Sequence, residues 1–256
     1  MSGIRVALAS LSGQADASWA MDAAEYVDAA FLGGIALDDR TRSAAREMVA
    51  RDRNEFLPDD PIAFIDDQLT VLTDIDLVAG FNVRTTTLGP LREAAAVCRE
   101  RDAILEINAH CRQAEMCAIG CGESLLKDTE RVCEYVETAA DAGARVSVKL
   151  RTEVPGVDVA AVAEAAADAG ASFVHVDAMD SEPVIADVAR ATEATVIANN
   201  GVRDAASVRE YLDFGADAVS VGRPSDDPSV LKGVQAATAA WYEDADAGPR
   251  KEQTNP

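Results

Sequence analysis

Apolar residues along the chain fall into short runs separated by amphipathic stretches, and this alternation repeats from one end to the other. Runs of strand length occupy Ile4 to Ser10, Ala29 to Leu37, Leu77 to Thr85, Ile104 to Ile107, Val146 to Leu150, Phe173 to Val176, Val196 to Ala198 and Ala218 to Val221. Short apolar runs of this kind are expected of parallel strands covered on both faces. Between them, Ile62, Ile65, Leu69 and Leu72 recur at helical spacing and predict a helix within 58–73, while Asp16 and Asp128 stand where they would cap helices. In the helix after Asp128, Val132, Cys133 and Val136 are expected to face the core. The repeating unit is plainest in the second half, where AspAlaGlyAla at 141–144 and 168–171 and AspPheGlyAla at 213–216 each precede a strand run. Glycine there supplies the left-handed residue that stops a helix. Eight strands alternating with helices over 256 residues predict an α/β fold, a closed (β/α)8 TIM barrel forming a single domain over 1–243. An open doubly wound sheet is the competing arrangement. The polar residues 244–256 are expected to form a flexible tail.

Composition narrows the class. No apolar run reaches the roughly eighteen residues of a membrane span, and the N-terminus lacks the basic and apolar segments of a secretory signal, so a soluble, cytoplasmic protein with no membrane partner is expected. Five cysteines, at 98, 111, 117, 121 and 133, are too few and odd in number for a disulfide scaffold. Cys111, Cys117 and Cys121 lie close together but lack CxxC spacing, and no metal is expected. The net charge of −22 opposes nucleic-acid binding in ordinary buffer. Lysine occurs only at 127, 149, 232 and 251, a bias matched to a halophilic, high-salt cytoplasm where charges are screened within about 3 Å. On that reading the charge reports habitat as much as partner.

Barrel enzymes place their chemistry at the carboxyl ends of strands, which singles out Ser10 and Ser12, Asn82 and Arg84, Asn108 to Cys111, Lys149 and Arg151, His175, Asn199 to Gly201, and Gly222 with Arg223. The densest cluster is Asn108 to Gln113, polar and reactive directly after an apolar strand. Lys149, between Val148 and Leu150, is expected to point into the barrel mouth, where a desolvated cation needs an electron-rich partner or an ion pair. The ends of strands seven and eight commonly cradle a phosphate.

The motifs GluIleAsnAlaHisCysArg at 106–112, GlyCysGlyGluSerLeuLeuLys at 120–127, ValLysLeuArgThr at 148–152, ValHisValAsp at 174–177, IleAlaAsnAsnGly at 197–201 and ValGlyArg at 221–223 together resemble the barrel of the tRNA-dihydrouridine synthases. These are FMN enzymes related to dihydroorotate dehydrogenase, and the likeness is closest to an archaeal branch of related barrels. The resemblance implies an FMN-dependent oxidoreductase acting on an activated C=C bond, in a uracil-like ring. Lys149 and His175 would contact the flavin, Asn199, Asn200, Gly201, Gly222 and Arg223 would hold its phosphate, and the loop after Ser10 would cover the ring. Cys111 would be the proton donor, with His110 as the alternative acid. Asn82, Arg84, Asn108, Arg112 and Arg151 would face the substrate, a small molecule or nucleobase, with tRNA left open as a partner. Three positions depart from the pattern: His110 replaces a glycine, Arg112 a proline, and Asp177 an arginine two residues after the histidine. Asp177 favours a second reading, a flavin-less barrel that binds a phosphorylated ligand or a protein partner without redox chemistry. The family's helical tRNA-binding domain is not expected in the roughly thirty residues after Arg223.

Overall fold

The computed structural model describes residues 3–246. The strands β1 (Val6–Leu8), β2 (Ala29–Ala36), β3 (Val78–Arg84), β4 (Ile104–Asn108), β5 (Arg145–Arg151), β6 (Phe173–Asp177), β7 (Thr195–Asn199) and β8 (Ala218–Val221) form one closed parallel barrel in sequence order. Pairing of β1 with β8, Val6 opposite Val219 and Leu8 opposite Val221, closes it. That excludes the open sheet and leaves no edge strand among the described residues. The chain is thus a single-domain (β/α)8 barrel.

The abundant aspartate is put to local use. Asp16, Asp38, Asp60, Asp128, Asp158 and Asp204 each cap a helix by accepting a backbone N–H of its first turn, contributing about 1 kcal/mol apiece. At the other ends of the βα units, Gly143, Gly170 and Gly215 have φ of 88°, 112° and 97°, the left-handed turn anticipated in the three repeats. In the helix Thr129–Asp141 the buried positions include Val132, Tyr135 and Val136. Cys133 is only partly buried, contrary to the core position expected of it, because Tyr135 takes the inward face. The closing helix Pro228–Asp246 runs three residues into the segment expected as a tail; residues 247–256 of that segment lie outside the described residues. Among the described residues no helix is long and apolar enough to cross a membrane.

Inside the barrel, side chains change character with height. The floor is apolar: Ala7, Ala29, Phe31, Ile104, Ile197 and Ala218 pack together with Val78 and Phe173 against them. Further along the strands the inward positions turn polar, giving Asn82, Glu106, Ser147, His175 and Ser220, all 0% exposed. Strand periodicity aims the next inward set, Arg84, Asn108, Lys149, Asp177 and Asn199, at the C-terminal mouth. Residues 50–60, between the helices Asp39–Val49 and Pro61–Val71, reach this mouth, where Phe56 bridges Ile35.

Candidate functional site

A cavity of about 800 Å³ opens at the C-terminal end of the barrel, within the usual range for a cofactor or small-ligand site. Thirteen of the residues singled out from the sequence line it: Ser10, Ser12, Asn108, His110, Cys111, Arg112, Lys149, Arg151, Asn199, Asn200, Gly201, Gly222 and Arg223. Asp177 joins them. Lys149 is 1% exposed, yet its ammonium makes no hydrogen bond or ion pair with any described residue. Burial pushes its pKa down, and the attraction of Glu106 and Asp177 offsets this only in part.

His175, Asn82 and Arg84 do not line the cavity. The first two belong to a hydrogen-bonded layer beneath it. Glu106 Oε1 accepts from Asn82 Nδ2 at 2.8 Å, and its Oε2 accepts from Ser147 Oγ at 3.2 Å and meets His175 Nδ1 at 2.7 Å. His175 Nε2 lies 2.7 Å from Ser220 Oγ, which accepts from Asn199 Nδ2 at 2.9 Å. Both ring nitrogens of His175 are therefore committed within the protein, and through Ser220 the ring supports Asn199 at the cavity wall. On the other side Asn108 Nδ2 donates to Asn82 Oδ1 at 2.8 Å, and Asn108 Oδ1 accepts from the backbone N–H of Cys111 at 3.1 Å. One network thus runs from the end of β7 to the loop that carries Cys111.

Charges in this layer follow from burial and partners. Burial and the positive charge of Lys149 push His175 down, so its imidazole is neutral. Burial opposes ionisation of Glu106, but the hydrogen bond from His175, the neighbouring Lys149 and the hydrogen bond from Asn82 outweigh it and hold the carboxyl at about 2. Within the cavity, burial and then Lys149 push His110 down to about 3, whereas burial pushes the Cys111 thiol up. Of the two acids anticipated, Cys111 carries a proton at neutral pH. Burial alone would raise Asp177, but the hydrogen bond from Asn200 Nδ2 at 2.8 Å and the charges of Lys149 and Arg151 keep it ionised.

Arg84 is buried beside the mouth. It pairs with the equally buried Glu55, and its Nη2 also donates to Gly34 O at 2.6 Å and Ser12 Oγ at 3.1 Å. Its Nε and Nη1 are without partners, as is Glu55 Oε1.

Reading the sequence missed Asp52, Arg53, Asn54 and Glu55, which line the cavity from the segment between two helices and carry no strand-end signal. Arg203, also at the mouth, follows Gly201 by two residues and escaped attention for that reason alone. Glu106, Ser147 and Ser220 were findable, since strand alternation turns them inward. Cys117 and Cys121 donate to Cys111 O at 3.5 Å and Thr85 O at 3.2 Å. No cluster of three or more His, Cys, Asp or Glu able to hold a metal ion occurs among the described residues.

Comparison with known proteins places this geometry in context. Among solved structures, tryptophan synthase of Pyrococcus furiosus superposes with a TM-score of 0.58 at 14% identity, covering 93% of this chain and 98% of that one. The Amycolatopsis orientalis BexX/CysO complex gives a TM-score of 0.59 at 16% identity over 99% and 95% of the two chains. FabK of Thermotoga maritima gives 0.56 at 15% identity over 86% of this chain, which spans only 61% of the FabK chain. At such identities these likenesses show the barrel alone. An uncharacterized protein of Methanocaldococcus jannaschii is 24% identical over 241 residues, covering 90% of each chain. The profile of the dihydrouridine synthase family matches residues 85–253, about two-thirds of the sequence and every strand from β4 onward, the part that supplies Asn108, Cys111, Lys149 and the β7 and β8 ends of the cavity. The chain belongs to the dihydrouridine synthase family.

Proposed function

We propose that the protein is an FMN-dependent oxidoreductase that reduces an activated C=C bond in a uracil-like ring. The observation that carries this reading is Lys149. A desolvated ammonium at a cavity wall, with no acceptor among the described residues, is stabilised by an electron-rich or anionic ligand. FMN fits the residues around it. The cavity volume is sufficient, Asn199, Asn200, Gly201, Gly222 and Arg223 converge from the ends of β7 and β8 where barrels hold phosphate, and Ser10 lines the cavity from the neighbouring end of β1. When bound, FMN supplies the hydride for such a reduction. The protein supplies the proton: Cys111 holds it on Sγ, with burial keeping the thiol protonated at neutral pH. Asn108 fixes the Cys111 backbone and so the direction of that thiol. Arg53, Arg112, Arg203 and Arg223 stand exposed around the mouth of a protein of net charge −22. Such a local concentration of positive charge draws in a phosphate-bearing substrate, tRNA included.

Asp177 favours the second reading, a barrel that binds a phosphorylated ligand or a protein partner without flavin, because it sets a negative charge in the same cavity. Titration with FMN decides between them. Quenching of flavin fluorescence is expected with the wild-type protein. Lys149→Met should weaken binding by about 10- to 150-fold, the loss of one charged hydrogen bond of roughly 1.5–3 kcal/mol. Lys127→Ala, at an exposed site paired with Glu123, should bind FMN unchanged. Unaltered flavin fluorescence at saturating wild-type protein would overturn the flavin reading.

A further inference from the structure

The polarity of the buried network can be followed atom by atom from its one ionised carboxylate. Glu106 only accepts, so the Asn82 atom facing it, 2.8 Å away, is the donating Nδ2. That turns Asn82 Oδ1 outward, where it accepts from Asn108 Nδ2 at 2.8 Å. Asn108 Oδ1 is then left facing the loop, where three groups converge on it: the backbone N–H of Cys111 at 3.1 Å, the backbone N–H of His110 at 3.4 Å, and His110 Nδ1 at 3.3 Å. A carbonyl oxygen donates nothing, so His110 Nδ1 carries the proton. In a neutral ring, Nε2 is then a bare lone pair, and it has no hydrogen-bond partner among the described residues. The ring lines the same cavity as Cys111 and Lys149.

We infer that His110 reads the substrate, its Nε2 accepting a hydrogen bond from a ring N–H of the uracil-like base, with Asn108, Asn82 and Glu106 as positioning residues that hold the imidazole in this tautomer. The inference rests on the substrate class proposed above, but not on the flavin. A pyrimidine joined to a sugar through N1 keeps a single ring N–H, at N3, and that is the donor this acceptor selects. His110 is thereby a specificity residue, and the proton for the reaction stays with Cys111. A base methylated at N3 places a methyl group against the lone pair and leaves it unpaired, a loss of about 1–3 kcal/mol or roughly 5- to 150-fold in affinity.

The protein has two histidines, so the imidazole nitrogen spectrum of uniformly 15N-labelled full-length protein contains two spin systems, assigned with His110→Gln. Near neutral pH His110 is expected as the neutral, Nδ1-protonated ring. Adding 1-methyluracil should shift its Nε2 resonance, and 1,3-dimethyluracil should not. An Nε2-protonated or doubly protonated His110 overturns the inference, as does an Nε2 resonance that responds equally to both probes or to neither. Affinities for the two probes, measured in the same titrations through the other cavity resonances, should differ by about tenfold in wild type. They should converge in His110→Ala and stay apart in His110→Gln, whose side-chain oxygen still accepts. Equal discrimination in wild type and His110→Ala overturns the inference. Every reading is taken without FMN, so absence of flavin binding would remove the redox proposal and leave this test standing.

Discussion

Replacing Glu106 by glutamine keeps the shape of the side chain and removes one charge from the centre of the barrel. The carboxylate accepts three hydrogen bonds, from Asn82, Ser147 and His175. An amide offers one oxygen and one NH2. If the oxygen stays with Asn82, the polarity up to the Cys111 loop survives, but the NH2 now faces His175 Nδ1. The ring must then move its proton to Nε2 and donate to Ser220, whose hydroxyl can turn to Ala198 O at 3.3 Å. The network therefore survives with a switched tautomer. Three charge-assisted bonds become neutral ones at a loss of about 1 kcal/mol each, or about 3 kcal/mol in all. Linkage gives a similar figure: a carboxyl held at about 2 against an ordinary 4.5 stabilises the fold by about 3 kcal/mol at neutral pH. For a domain of this size that is a fall in Tm of about 6–12 °C. Because folding lowers this pKa, the stabilisation is complete above the unfolded value near 4.5 and disappears as pH falls through about 2. Denaturant unfolding of wild type and Glu106→Gln should thus show a gap at neutral pH that closes in acid. A gap below about 0.5 kcal/mol at neutral pH, inside the range of an ordinary surface change, would show that Glu106 is not the charged centre of the network.

Cys111→Ala should retain FMN yet lose about 10²- to 10⁴-fold in substrate reduction, the usual effect of removing a positioned acid, while Cys133→Ala turns over normally; normal turnover by Cys111→Ala would remove the thiol from the reaction. Since burial raises the Cys111 pKa from 9.0, the acid form persists through neutral pH, and wild-type activity should fall only on the alkaline side. Gly34→Ala brings a methyl group 2.4 Å from Asn82 Oδ1 and 3.3 Å from Arg84 Nε, an overpacking that should cost about 1–3 kcal/mol; an unchanged denaturation midpoint would contradict that tight approach.

The barrel was legible in the sequence because its period is short-range: each helix stop, as at Gly170, and each apolar run, as at Val174, announces itself within a few residues. The cavity wall was legible for a related reason, since strand ends such as Asn108 and Lys149 are found by counting along a strand. What the sequence did not yield is pairing at a distance. Nothing local to His175 announces that Glu106, 69 residues away, and Ser220, 45 residues away, occupy both its nitrogens. Arg84 likewise finds Glu55 across 29 residues, from a segment with no periodic pattern of its own. The choice between Cys111 and His110 as the acid rested on burial and on the direction of one asparagine amide, neither of which composition or spacing encodes.

The apolar floor formed by Phe31, Ile104, Ile197 and their neighbours closes the bottom of the barrel among the described residues, so that its polar layer faces the mouth. A proton on His175 Nδ1 or Asn82 Nδ2 can trade places with solvent deuterium only by way of the mouth or by breathing of the barrel itself. A ligand seated in the mouth is therefore a stopper. The rate at which isotope reaches the polar layer becomes a clock for occupancy, one that runs without colour, turnover or knowledge of what the ligand is.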